Sequence, residues 1–150
     1  MILDDSTVAR MLLSAARSLA DHPTADTRGM WPRAAVLLAR QALEVAVRTY
    51  WSAKAASVAE ASMRAQFLCL GTWLSNEPLA QRAHQVWSAL SRASHHHPYE
   101  LTPTRDELAT WCDTVLDVID ATEREWHSNQ KSSRRHLGYQ KPARGGSVRA

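Results

Sequence analysis

Apolar residues recur at helical spacing along most of the chain, and sustained two-residue alternation never extends beyond a few positions. The pattern predicts about five amphipathic helices and no sheet. The first covers roughly residues 6–20, the second 32–54, the third 58–74 and the fourth 77–94, and the fifth follows Thr104. Helices of this length joined by short connections are typical of an antiparallel bundle. We therefore expect an all-α fold.

Residues that favour helix starts support these boundaries. Ser57 followed by Glu60 has capping-box spacing, which predicts the start of the third helix. Asn76 is positioned to cap the fourth helix. Thr104 and Glu107 repeat the capping-box spacing ahead of the fifth.

The second helix carries apolar residues around most of its circumference, which predicts the central and most buried position in the bundle. Its charged residues Arg40, Glu44 and Arg48 lie four apart, so they form one stripe in which the glutamate can pair with either arginine. A structural ladder of ion pairs is the simplest interpretation of this stripe.

The pattern of apolar residues stops after Trp126. Six of the eighteen Lys and Arg residues follow Glu125 and no acid does, so residues 1–126 carry a net charge of −3 although the whole chain carries +3. Few large aliphatic residues remain to repay the entropy of ordering. We predict a helical bundle over residues 1–126 and a disordered, flexible basic tail over 127–150. The tail either contacts phosphates nonspecifically or is only solvated.

Composition favours a soluble, cytoplasmic protein of one domain. At 150 residues the chain can build one core. No apolar run approaches the roughly 20 residues that cross a bilayer, so no membrane association is expected. Acids rather than bases follow the first methionine, unlike a secretory signal. The two cysteines, Cys69 and Cys112, are too few for a disulfide framework and are expected to pack as reduced, apolar groups.

The densest group of polar residues covers residues 92–100, at the predicted end of the fourth helix. It includes Arg92 and three consecutive histidines, His95, His96 and His97. Histidine transfers protons near neutral pH, and the planar arginine fork holds phosphate, so together they suit phosphodiester chemistry. The alternative is that these histidines only cap the C-terminus of the helix, where positive charge is favourable.

Neither a metal nor a cofactor is predicted. His84 precedes His95 by eleven residues, about 16 Å along a helix, which is too far to share one ion. No cysteine or carboxylate has an established ligand spacing. A metal-dependent hydrolase that uses His84 or the three histidines remains the less favoured alternative. A glycine-rich phosphate loop is absent from the sequence, which excludes P-loop and dinucleotide-binding folds.

Two segments resemble the HEPN family of all-helical proteins. Residues 37–51, LLARQALEVAVRTYW, are similar to the family's buried second helix, and Arg92 with His97 fits its Arg-x(4–6)-His motif. The resemblance covers roughly residues 6–122. A second match to the motif, Arg17 with His22, ends the first helix rather than the penultimate one.

The resemblance implies a metal-independent endoribonuclease of the kind found in toxin–antitoxin and defence systems. Arg92 and His97 would be the catalytic pair, His95 and His96 would assist, and two copies would meet in a homodimer. Tyr99, Arg134 and Arg135 are the candidate substrate-binding residues. RNA is the expected partner, together with an antitoxin or another protein. Many HEPN relatives lack nuclease activity, so a noncatalytic module that binds RNA, nucleotide or protein is the alternative.

Overall fold

The computed structural model describes residues 4–95 and 101–137, with side chains as far as Ser132. The described residues form six helices and no strand, which confirms the all-α prediction. The helices are α1 (Asp5–Asp21), α2 (Trp31–Lys54), α3 (Ala56–Ala59), α4 (Met63–Trp73), α5 (Glu77–Ser94) and α6 (Arg105–Leu137).

Helix α1 runs antiparallel to both α2 and α6. Thr49 Oγ1 donates a hydrogen bond of 3.3 Å to Asp5 Oδ2, so the start of α1 lies beside the end of α2. Arg17 Nη2 lies 2.7 Å from Asp113 Oδ1, so the end of α1 lies beside the first part of α6. Helices α2 and α6 are therefore parallel to each other.

Helix α5 also packs against α2 and α6 and completes the bundle. Arg40 Nη1 lies 3.5 Å from Ser94 Oγ, which brings the end of α5 against the first half of α2. The Tyr50 hydroxyl lies 3.1 Å from Glu125 Oε2, which fixes the register of α2 and α6 near their other end. The four long helices thus alternate in direction along the chain, which confirms the antiparallel bundle.

Helix α2 is the centre of the fold, as its apolar circumference predicts. It contacts every other helix of the bundle. Small residues recur every three or four positions on α2, and at intervals of seven and four on α1, so each helix carries a seam of small side chains that lets the two backbones approach closely. The buried alanines of the seams are Ala9, Ala16 and Ala20 on α1 and Ala35, Ala39, Ala42 and Ala46 on α2.

The predicted third helix is divided into α3 and α4, so the capping box at Ser57 is wrong as the start of a long helix. Ser62 is the residue that caps α4, because its Oγ accepts from the backbone N–H three residues on, at 3.3 Å. Buried Gln66 holds the break, donating from Nε2 to the carbonyls of Ala59 and Ala61 at 2.9 Å each.

The other predicted helix starts are confirmed. Asn76 Oδ1 accepts from the N–H of Leu79 at 3.1 Å. Thr104 and Glu107 form a reciprocal capping box, and hydrogen bonds from the Thr104 backbone and hydroxyl lower the pKa of the Glu107 carboxyl. The C-terminal boundary differs from the prediction, because α6 continues past Trp126 to Leu137.

Replacing Ser62 with alanine should destabilise the fold by about 1 kcal/mol, because α4 loses its side-chain cap. Ser57→Ala is the matched control and should change the free energy of unfolding by less than about 0.5 kcal/mol, since Ser57 is exposed. Urea unfolding of both variants provides the measurement. A larger loss in the Ser57 variant would contradict the described break.

Candidate functional site

Four helix termini lie at one end of the bundle, which we call the α5 end, and one of them is the end of α1 at Asp21. Here α5 finishes at Ser94, while α2 and α6 begin at Trp31 and Arg105. The Arg105 guanidinium carbon lies 5.6 Å from the centre of the Trp31 ring, a cation–π contact that joins the two starting turns. The predicted catalytic segment therefore begins at the end of the bundle where the starts of α2 and α6 are joined.

Arg92 lies in the last turn of α5 with an exposed side chain. Its carbonyl accepts a 3.1 Å hydrogen bond from the N–H of His95, the exposed C-cap residue of the helix. Among the side chains that the structure describes, no carboxylate forms an ion pair with the Arg92 guanidinium. As far as the described side chains go, the five N–H donors of this exposed guanidinium can hold an anion.

The second match to the Arg-x(4–6)-His motif has a different environment. Arg17 forms an ion pair with Asp113 across the α1–α6 interface, and its Nε is buried. A guanidinium already neutralised by a carboxylate is poorly suited to hold a phosphate. The geometry thus distinguishes the two matches in a way that spacing along the sequence cannot.

A group of polar contacts between α2 and α5 fixes the position of α5. Glu44 Oε1 accepts from Arg40 Nε at 2.8 Å and from Trp87 Nε1 at 2.9 Å. Arg40 also reaches Ser94 Oγ, the last residue of α5. Of the two pairings predicted for Glu44 only the one with Arg40 is found, and Arg48 lies instead 3.5 Å from the sulfur of Met63.

His84 belongs to an aromatic stack rather than to the segment around His95. Its ring lies 6.2 Å from the centres of both Phe67 and Trp87, at interplanar angles of 15° and 23°. Within the described part of the chain, no three His, Cys, Asp or Glu side chains lie close enough together to hold a metal ion.

The remaining predicted site residues fall into two groups. His96, His97 and Tyr99 lie outside the described residues. Arg134 and Arg135 lie in the last turns of α6, where the structure describes the backbone but not the side chains. About 44 Å of helix separates Arg134 from the start of α6, so one chain does not bring the two arginines next to Arg92.

A second polar cluster, which no sequence motif predicts, is centred on Glu125 near the opposite end of α2. Burial raises the pKa of Glu125, but hydrogen bonds from the Ser75 N–H and Oγ at 2.9 and 2.8 Å outweigh it, so that the net pKa is lowered. Burial, and then the charge of Glu125, raise the pKa of the Tyr50 phenol, which therefore stays protonated. Lys54 Nζ lies 3.8 Å from Glu125 and 5.7 Å from the centre of the Tyr50 ring.

A cavity of about 560 Å³ lies beside this cluster, between α1, α2 and α6. No motif indicates it, because it depends on where three separate helices begin and end. The only hint in the sequence is Trp126, the last large apolar residue before the basic segment, whose half-exposed ring lines the cavity.

The cysteines do not contribute to either site. Cys112 is buried, and burial raises the pKa of its thiol to about 11, so it stays protonated. Cys69 is a free, partly buried thiol on α4. In the described ranges, none of the helices combines the length and the apolar character needed to cross a membrane.

Comparisons with protein-family models, with curated proteins and with solved structures find no match to this chain.

Replacing Glu44 with glutamine should destabilise the fold by about 1–2 kcal/mol, because Arg40 loses a partly buried, charged acceptor. Glu60→Gln is the matched control, an exposed glutamate on the surface beside α3, and should be nearly neutral. Urea unfolding measures both. Equal stability of the two variants would mean that the Glu44 contacts do not hold α5 in place.

Proposed function

We propose that this protein is a HEPN-like, metal-independent endoribonuclease whose reactive centre is formed by Arg92 and His97 at the α5 end. The observation that carries the proposal is the exposed Arg92 guanidinium, which has no carboxylate partner among the described side chains. The three histidines follow directly in the sequence after the last residue of α5, Ser94. A toxin–antitoxin or defence system is the setting in which such an enzyme is expected.

The chemistry requires one cation and one proton-transfer group. The Arg92 fork holds two oxygens of the scissile phosphate and stabilises the charge that builds there during attack. His97 accepts the proton of the 2′-hydroxyl, whose oxygen then bonds to phosphorus. The bond from phosphorus to the 5′-oxygen breaks, that oxygen takes up a proton, and a 2′,3′-cyclic phosphate remains. His95 and His96 assist the proton transfers, and Tyr99 contacts the RNA.

A homodimer would bring two copies of this centre together. Large apolar side chains at the α5 end favour such an association, because they gain by leaving water. Met30 is 70% exposed and Leu101 is 97% exposed, and both lie close to the anchored starts of α2 and α6. Leu37, on the next turns of α2, is 41% exposed. We infer that these side chains contact the second copy.

RNA cleavage in the presence of EDTA tests the assignment. The wild-type protein should cleave, and Arg92→Ala and His97→Ala should each lower the rate by at least about 100-fold, the usual contribution of a positioned proton-transfer group or charge stabiliser. Arg82→Ala is the matched control, because Arg82 is an exposed arginine on the same helix. Cleavage that survives in the Arg92 or His97 variant would refute the catalytic assignment.

A noncatalytic RNA-binding module is the second candidate, favoured by the continuation of α6 beyond the bundle. From Trp126 to Ser132 every residue of α6 is exposed, and Arg124, His127 and Lys131 recur at a spacing that places them on one face. Such a face suits the phosphate backbone of RNA.

Truncation after Ser132 removes five Lys and Arg residues and should weaken RNA binding at low salt by at least tenfold. The salt dependence of the affinity should become less steep, because fewer counterions are released. Measurement of the dissociation constant at several salt concentrations provides the test. The Arg82→Ala variant of the full chain serves as the control and should keep the salt dependence to within about one released counterion, because Arg82 is exposed on α5 and belongs to neither proposed RNA contact. An unchanged slope after truncation would remove the tail from the RNA contact.

A further inference from the structure

The cavity between α1, α2 and α6 exists because the three helices have unequal extents. Helix α1 begins at Asp5, whereas α2 and α6 continue past the level of that residue. The space left by the absent turns of α1 measures about 560 Å³, within the usual range for small-molecule sites. Its apolar lining consists of Ala9, Ala46, Ala53 and Ile119.

The hydroxyl groups that line the cavity already donate their hydrogens to acceptors within the protein. Ser6 donates to Glu123, and Thr49 donates to Asp5 at 3.3 Å. Thr122 donates back along α6 to carbonyls at 3.0 Å. Since each hydroxyl has one hydrogen, these groups offer the cavity only oxygen lone pairs. A ligand that fits this wall must therefore supply hydrogen-bond donors.

Carboxylates add negative charge to the same wall. Asp4 caps α1 through Oδ1, which accepts from the N–H of Ser6 at 2.9 Å, while no described group engages its Oδ2. Glu123 shares the single guanidinium of Arg10 with Asp120, and the hydrogen bond from Arg10 lowers the pKa of Glu123. Of the two carboxylates that line the cavity, Glu123 is paired with Arg10, whereas Asp4 has no cationic partner among the described side chains.

Lys54 does not cancel this charge, because Glu125 and the Tyr50 ring already hold its ammonium group. The indole of Trp126, 47% exposed, lines the cavity and presents a face that attracts cations. The exposed amides of Asn129 and Gln130 also line the cavity and can accept or donate. His127, the one imidazole in the described lining, is exposed and can accept a hydrogen bond from an amine in its neutral form. Oxygen acceptors, the aromatic face of Trp126 and the apolar side chains of the alanines and Ile119 thus line the same cavity.

We propose that this cavity binds a small aliphatic amine, a diamine or polyamine, as a ligand. Its ammonium groups donate to Asp4 Oδ2 and to the hydroxyl oxygens, and one of them lies against the Trp126 ring. Its methylene chain packs against Ala9, Ala46 and Ala53. The site lies at the opposite end of the bundle from Arg92, and the inference does not rest on the nuclease assignment.

Calorimetric titration of the full chain with spermidine and with putrescine, at low salt, tests the site. Binding should occur with one ligand per chain. Asp4→Asn should raise the dissociation constant roughly tenfold, because asparagine keeps the helix cap and removes the charge. Trp126→Ala should weaken binding by about three- to tenfold through loss of the aromatic face. Ala53→Trp should abolish binding by filling the cavity.

Asp117→Asn is the matched control, because it removes one exposed carboxylate of α6 that does not line the cavity. Its affinity should equal that of the wild type. No binding by the wild type, or equal weakening in the Asp4 and Asp117 variants, would overturn the proposal. A lysine-rich peptide that displaces spermidine and binds more tightly would also overturn it, in favour of a protein partner.

Discussion

The burial of α2 is the constraint on which the rest of the structure depends. One helix contacts all the others, and it can do so only because its surface carries alanines where neighbouring backbones must come close. Larger residues, including Leu43, Val47 and Trp51, fill the remaining space, and each is fully buried. Both candidate sites are built on the two ends of this helix. Arg40 and Glu44 hold the end of α5, while Tyr50 and Lys54 stand beside the cavity.

The positions of the long helices could be predicted, because the capping residues and the helical spacing of the apolar residues indicate the same boundaries. Asn76 and the Thr104–Glu107 capping box act within four residues of chain, and the structure keeps both. The break between α3 and α4 could not be predicted, because Ser57 and Ser62 are both possible helix caps. Which of them caps a long helix depends on buried Gln66, whose hydrogen bonds stabilise the break. The extension of α6 could not be predicted from an apolar stripe, because residues 126–132 are exposed and a helix that continues beyond the bundle needs no such stripe.

The candidate site was only partly predictable for a related reason. The motif with Arg92 could be predicted from spacing, but the exposure of the Arg92 side chain is seen only in the structure. The contacts that position α5 could not be predicted either, because Trp87 and Ser94 reach Glu44 and Arg40 from another helix. The motif at Arg17 has the same kind of spacing, yet its arginine is engaged by Asp113. Only tertiary structure distinguishes an available guanidinium from an occupied one.

The position of the basic segment limits how the two ends of the molecule can act on one RNA. Helix α6 begins at the α5 end and carries Arg134 and Arg135 away from it by about 44 Å. A single chain therefore cannot place Arg92 and these arginines on the same phosphate. If both contact RNA, either the strand runs the length of the bundle past the acidic body, or a second copy supplies the tail. In the proposed homodimer, which is joined at the α5 end, the second copy's tail also lies about 44 Å from the shared centre, at the far end of its own bundle. The first arrangement is therefore the one that fits this dimer, with the strand following α6 from Arg92 to the basic segment.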